Sequence, residues 1–246
     1  VLFRSPTNSL PIQYYWTLLI LGAILGVTGW IFNKGLLKTQ DFYVKTLKKI
    51  PIQFKTIIPF VMVGILALTI PEAIDGGDSL IESVIGNNIA IKLLIVILVI
   101  KFIFTFFSYS SGVPGGIFFP LLAIGALVGA IFGLLLNKYL GISDSLIVNF
   151  IVLAMAAQFA SIVKAPITGL MLITEMTGTF KHLLPVAITV TVAYLVSDML
   201  NNKPIYESLL EKLLERMNIK FNTGVKKKEI FDFEVKIGSE LDGKLI

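Results

Sequence analysis

The chain has 246 residues, 55% of them hydrophobic and 15% charged, with 21 Lys and Arg against 16 Asp and Glu and no cysteine. Its mean hydropathy is +0.85. These values lie on the apolar side of an ordinary soluble domain, and the lack of cysteine removes disulfides, thiolate metal sites and cysteine nucleophiles.

Charge placement says where the apolar character sits. No Asp, Glu, Lys or Arg occurs from Ser5 to Asn33, Thr56 to Pro71, Phe102 to Asn137 or Ser145 to Val163. Such runs suit helices crossing a hydrocarbon layer of about 30 Å, which takes roughly 20 apolar residues. Most of residues 12–200 is therefore expected inside a membrane, since a single soluble all-helical domain has too little interior to hide so many uncharged runs. Val1 to Pro11 shows neither an initiating Met nor a signal-peptide layout, so the chain is expected to begin inside a longer protein.

In chain order, the runs and their punctuation predict helices at 13–37, 55–71, 78–86, 89–108, 117–137, 146–161, 166–176, 182–200 and 203–217. The segment Pro166–Met176 makes only about 16 Å of helix at 1.5 Å per residue. Short helices of this kind line buried or watery space, because irregular backbone is not tolerated facing lipid. Gly22 and Gly26, and Gly125, Gly129 and Gly133, recur at four-residue spacing, which lets helices approach closely, and ordinary packing is sufficient to explain them. After Leu200, Asn201-Asn202-Lys203-Pro204 breaks the apolar pattern, and Glu207, Glu211, Lys212, Glu215 and Arg216 decorate a helix leaving the membrane. Lys226-Lys227-Lys228 reads as a solvated linker. Alternation from Glu229 to Val235, followed by Gly238-Ser239, then predicts a strand and turn opening a soluble domain.

The most informative string is Ser108-Tyr109-Ser110-Ser111-Gly112-Val113-Pro114-Gly115-Gly116-Ile117-Phe118-Phe119-Pro120, between two apolar runs. Three glycines and a proline keep this backbone out of a regular helix. Pro120 can sit in a helical first turn, where backbone N–H groups lack intrahelical acceptors anyway. The N–H groups of Ile117 and Phe118 are then free to face a ligand. A helix N-terminus carries roughly half a positive charge, so it attracts an anion without a full cationic side chain. That suits a conduit, in which an ion must bind and still leave, whereas a buried Lys or Arg could trap it. By composition alone the same run could equally be a plain loop.

The string SSGVPGGIFFP is very close to the GxFxP region of the CLC chloride channel and transporter family. Lys203-Pro204-Ile205-Tyr206 resembles the segment carrying that family's chloride-coordinating tyrosine. Gly76-Gly77-Asp78-Ser79-Leu80-Ile81, Lys164-Ala165-Pro166-Ile167-Thr168-Gly169 and Glu175-Met176-Thr177 resemble further family segments, and the likeness covers roughly residues 12–217. It implies an all-α membrane domain over 1–217, the second inverted repeat of the CLC fold with broken and re-entrant helices. It also implies chloride transport, as a channel or a proton-coupled exchanger. The amides of Ile117 and Phe118 and the hydroxyl of Tyr206 would bind the anion, with Gly115, Gly116, Phe119 and Pro120 completing the loop. Phe118 and Tyr206 would wall the ion from water. Read alone, Tyr206 would be an interfacial belt tyrosine.

The family's serine-bearing GSGIP loop and gating GxEGP glutamate belong to the other structural half, and neither string occurs in this sequence. This chain would supply one wall of the pathway. The resemblance also implies a homodimer, with 13–37 and 166–200 as candidate faces. Residues 234–246 resemble the opening of a TrkA-C regulatory domain, which would make 218–246 a linker and cytoplasmic module answering to a small-molecule regulator.

Other polar residues read as structural. Glu175, Asp198, Lys101 and Lys164 can pair or cap within helix junctions, or snorkel in the case of the lysines. His182, the single histidine, suits a helix start or an interface and forms no metal site. Basic residues cluster at Lys38–Lys55 and beyond Lys203, which would place both on the cytoplasmic side, whereas family topology places only the second there. The expected setting is a bacterial inner membrane with a cytoplasmic C-terminus. Expected partners are chloride and the lipid bilayer, with no cofactor and no nucleic acid. A cation-coupled secondary transporter is the competing reading, but it would call for carboxylates facing the break, and 102–137 has none. An enzyme is not expected, because no nucleophile with a base, phosphate loop or metal spacing is found.

Overall fold

The computed structural model describes residues 10–47, 51–70, 74, 90–112, 115–178, 180 and 182–216. The chain divides into two compact units, Val1–Leu210 and Glu211–Ile246. Of the second, only the helix end 211–216 lies within the described residues, so the expected strand, turn and regulatory module at 218–246 fall outside them. So does the helix expected at 78–86.

The described residues are helical, with no strand among them. Helix α1 spans Tyr15–Thr46 and α2 spans Ile57–Thr69 after a single turn at Ile52–Lys55. Helices α3 (Ile91–Ser110) and α4 (Phe118–Leu140) flank the break. A short turn at Asp144–Leu146 then leads into α5 (Ile147–Val163). Helices α6 (Pro166–Thr177), α7 (Leu183–Met199) and α8 (Ile205–Arg216) complete the order. Among the described residues four stretches, Ile12–Thr46, Ile91–Ser110, Phe118–Leu140 and Asp144–Val163, are long and apolar enough to cross a membrane.

Most bounds fall within three residues of expectation, but α1 does not stop at residue 37. It continues to Thr46 because one face stays apolar after the charges begin. Leu36 and Tyr43 are buried, while Lys34 folds back to place its ammonium 4.2 Å from the centroid of the Trp30 ring. A lysine that lays its stem and charge along the helix surface does not end the helix.

Small residues bring the backbones together. A Cβ on Gly129 would lie 2.5 Å from the Phe150 carbonyl oxygen, and one on Gly125 would lie 2.9 Å from that of Ala154. Gly133 faces Ile147. Ascending positions on α4 therefore meet descending positions on α5, and the two form an antiparallel hairpin. Its turn uses Gly141 at φ +65°, and the Asn137 amide donates to the Ile142 carbonyl at 2.6 Å and to the Asp144 carboxylate at 2.8 Å. Gly22 and Gly26 play the same role between α1 and α7, meeting Thr189 and Val192, then Ala193 and Val196, so those helices run parallel. Gly29 meets Ser161 of α5. Contacts of this closeness hold helices together in lipid, where burying apolar surface contributes little. Helix α5 is the hub, with every residue from Asn149 to Ile162 buried.

Candidate anion-binding site

The break expected between two apolar runs is present between α3 and α4. Helix α3 closes with the Ser111 N–H and hydroxyl both donating to the Ser108 carbonyl, at 3.3 and 2.7 Å. Gly112 follows at φ +89°, a left-handed conformation that glycine adopts without steric cost. Gly115 and Gly116 are exposed, and a Cβ added at Gly116 would meet nothing within 4 Å. Ile117, which follows them, is 2% exposed and packed in the core.

Ile117 is the residue that starts α4, its carbonyl accepting from the Leu121 N–H at 3.0 Å. No side chain caps this end. Phe118, Phe119 and Pro120 form the first turn, and Pro120 has no N–H to satisfy. Among the described residues the N–H groups of Ile117, Phe118 and Phe119 have no acceptor. Three amide donors therefore stand at the positive end of a 23-residue helix, an arrangement that suits an anion. No lysine, arginine or acidic residue lies between Phe102 and Asn137 to compete with it or neutralise it.

Phe118 is half-buried and held edge-on against Phe159 of α5, centroids 6.0 Å apart, and against Phe119 at 5.3 Å. No ring contact joins Phe118 to Tyr206 among the described residues. Tyr206 is the second residue of α8 and is 47% exposed. The phenol of Tyr109, just before the break, lies within electrostatic reach of the Tyr206 phenol, so the fold brings the two distant strings into one neighbourhood. The Tyr206 hydroxyl makes no hydrogen bond to a described residue and is available as a donor.

Of the charged residues read as structural, Lys164 and Asp198 form a pair. Lys164 ends α5 in the left-handed region at φ +63°. Its ammonium donates to Asp198 at 3.1 Å and lies 4.6 Å from the centroid of the Tyr194 ring. Lys101 is buried. His182 stands at the start of α7, its carbonyl accepting from the Val186 N–H. The Glu175 side chain is exposed, and the residue meets the next junction through its carbonyl, which accepts from Gly178.

The reading of charges overlooked a set of uncharged polar residues beside Tyr206. Asn33, Ser161, Ser197 and Asn202 are all buried; Ser197 and Asn202 bond each other and the Ser161 carbonyl, and Asn33 donates to the carbonyls of Ile162 and Lys203. A second pair, Thr28 and Gln158, meets at 2.7 Å with the Gln158 Nε2 left without a partner among the described residues. The signal that could have found them is an amide or hydroxyl inside a charge-free apolar run, which is costly unless bonded.

Residues 1–198 match the model of the voltage gated chloride channel family. The chain belongs to that family. Being an all-α member with four helices of membrane-crossing length and apolarity among the described residues, it is a multi-pass integral membrane protein. The H(+)/Cl(-) exchange transporter ClcA of Vibrio parahaemolyticus is 37% identical over 216 residues, covering 87% of this chain and 45% of that protein. ClcA of Salmonella paratyphi B is 35% identical over 212 residues, with 85% and 44% covered. Among solved structures, a slow cyanobacterial Cl-/H+ antiporter superposes with a TM-score of 0.76 at 31% identity, over 87% of this chain and 51% of that one. A CLC-type fluoride/proton antiporter, at 23% identity and a TM-score of 0.64, shares the fold over 78% of this chain and 46% of that one. The chain thus spans about half the length of the voltage gated chloride channel relatives it matches. The family match ends before Tyr206, so that residue's assignment stands on its string and its place beside Tyr109.

Proposed function

We propose that this chain forms one wall of a chloride pathway across a membrane, in a protein that works as a CLC-type Cl-/H+ exchanger or channel and not as an enzyme. The observation that carries this reading is the uncapped start of α4. Three amide donors there have no acceptor among the described residues, and Gly115 and Gly116 before them are exposed. Ile117 and Phe118 bind the anion through backbone N–H groups, and Tyr206 donates its hydroxyl. Membership in a chloride channel family and likeness to exchangers named for chloride favour an anion over a cation. Their names also favour proton coupling, which would need residues contributed by another part of the pathway.

Finer parts of the reading rest on resemblance alone. They are a homodimer, a bacterial inner membrane with the C-terminus cytoplasmic, and a regulatory module beginning near residue 234. The test of the function is chloride and proton flux in liposomes carrying the full-length protein, Phe118→Ala and Tyr206→Ala. Chloride flux altered by both substitutions, with protons driven against their gradient, is the expected result for an exchanger. Cation flux without anion flux in folded protein would overturn the reading.

A further inference from the structure

The loop between α7 and α8 is fastened in a way that bears on Tyr206. Helix α7 ends with Asn201 at φ +52°. The Asn201 N–H donates to the Asp198 carbonyl at 2.8 Å, and the Asn202 N–H donates to that of Ser197 at 3.1 Å. This is the paired bonding of a Schellman motif, with asparagine in the left-handed position usually held by glycine.

Side chains then tie this loop to the end of α5. The last four carbonyls of a helix have no intrahelical donor. That of Ala160 is met by the Lys164 N–H at 3.0 Å. That of Ser161 receives the Ser197 hydroxyl at 2.8 Å and the Asn202 amide at 3.1 Å, and the same Asn202 amide donates to the Ser197 oxygen at 2.9 Å. That of Ile162 receives the Asn33 amide at 3.1 Å, and the Asn33 amide also donates to the Lys203 carbonyl at 3.0 Å. An amide nitrogen has two hydrogens, and both partners of Asn33 are carbonyls, so its orientation is fixed and its donors are used up.

Asn33 therefore joins three elements: its own helix α1, the end of α5, and the residue three before Tyr206. Between that residue and Tyr206 stand Pro204, whose ring fixes φ, and Ile205, fully buried. Pro204 is held in turn, its carbonyl accepting from the Ser208 N–H at 3.1 Å and the Ser208 hydroxyl at 2.9 Å. Little freedom remains in the backbone that carries the phenol.

We infer that Asn33, with Ser197 and Asn202, is a positioning residue for the anion site: it sets where the Tyr206 hydroxyl stands, and through it the affinity for chloride. This inference rests on the reading of Tyr206 as an anion donor. A phenol aimed by its backbone loses less freedom when the ion arrives, and that difference appears as affinity.

The test is a double-mutant cycle on the full-length protein in detergent, with chloride titrated calorimetrically. Tyr206→Phe is expected to weaken binding about tenfold, the worth of one hydrogen bond to a charged group. Asn33→Leu is expected to weaken it about fivefold with Tyr206 present and less than twofold in the Tyr206→Phe background, because residues acting through one another are not additive. Amide hydrogen exchange supplies a readout independent of the ion, with Asn33→Leu expected to speed exchange at residues 201–207. If Asn33→Leu does not yield folded protein, Ser197→Ala, which removes one hydroxyl, is put through the same cycle and judged by the same figures. Equal losses in both backgrounds, or unchanged exchange at 201–207, would overturn the positioning role and leave the anion site standing. Chloride binding undisturbed by Tyr206→Phe would remove Tyr206 from the site and the positioning role with it.

Discussion

Two interruptions of helical structure differ in how their polar groups are satisfied. Between α3 and α4, the amides of Ile117, Phe118 and Phe119 and the buried hydroxyl of Ser110 have no partner among the described residues. Between α7 and α8, Ser197 and Asn202 bond each other and the Ser161 carbonyl, and the Asn33 amide donates to the Ile162 and Lys203 carbonyls, with only the Asn33 Oδ1 left without a partner among the described residues. Both breaks are polar backbone set among apolar helices, where an unsatisfied group costs free energy. Such a cost persists where something else benefits from it. The first break leaves donors open at a helix start, and the second ties three helices together.

The contrast can be attacked from either side. The largest effect is expected from Gly116→Asp. A Cβ there meets nothing within 4 Å, so the carboxylate can settle on the α4 amides as an anion supplied by the chain itself. Chloride affinity measured by titration should fall by about a hundredfold, since two negative charges within a few ångströms exclude each other. Undiminished binding would show that the first break does not hold the ion. Next in size is Asn202→Leu, which leaves buried groups around Ser161 and Ser197 short of a donor. A loss of about 2 kcal/mol is expected, read as a lower melting temperature in detergent, because stranding a buried polar partner costs its desolvation. Smallest is Ser110→Ala, whose hydroxyl has no partner to strand. A change of less than about 0.5 kcal/mol is expected in the same melting assay, and a drop comparable to that of Asn202→Leu would mean that the two breaks are not different in kind.

Much of this architecture was legible before any coordinates. Charge-free runs marked α1, α2, α4 and α5, and the glycine spacing at 22 and 26 and at 125, 129 and 133 marked places where helices meet closely. The string around Pro114 placed the break and its donors, since glycine and proline act locally and their effect can be read from neighbours. Helix α1 was read nine residues short because its second part is amphipathic, with Leu36 and Tyr43 buried among lysines. The Asn33 and Asn202 network was not legible. Its bonds join residues 129 and 170 positions apart in one case and 41 in another, and a reading by charge does not register an asparagine in an apolar run.

The central place of α5 has a consequence for how the chain is made. The stretch Asp144–Val163 is apolar enough to enter a bilayer unaided, yet most of its apolar window is enclosed by the rest of the chain. Its hydrophobicity serves the moment of insertion, and its final neighbours replace lipid later. The donors that finish its C-terminal end sit on Asn33, synthesised long before, and on Ser197 and Asn202, synthesised after it. A ribosome that has released α5 but not yet residue 202 leaves the Ser161 carbonyl without its side-chain donors. The side-chain donors that finish the end of α5 are therefore all present only once the segment just before Tyr206 has been made.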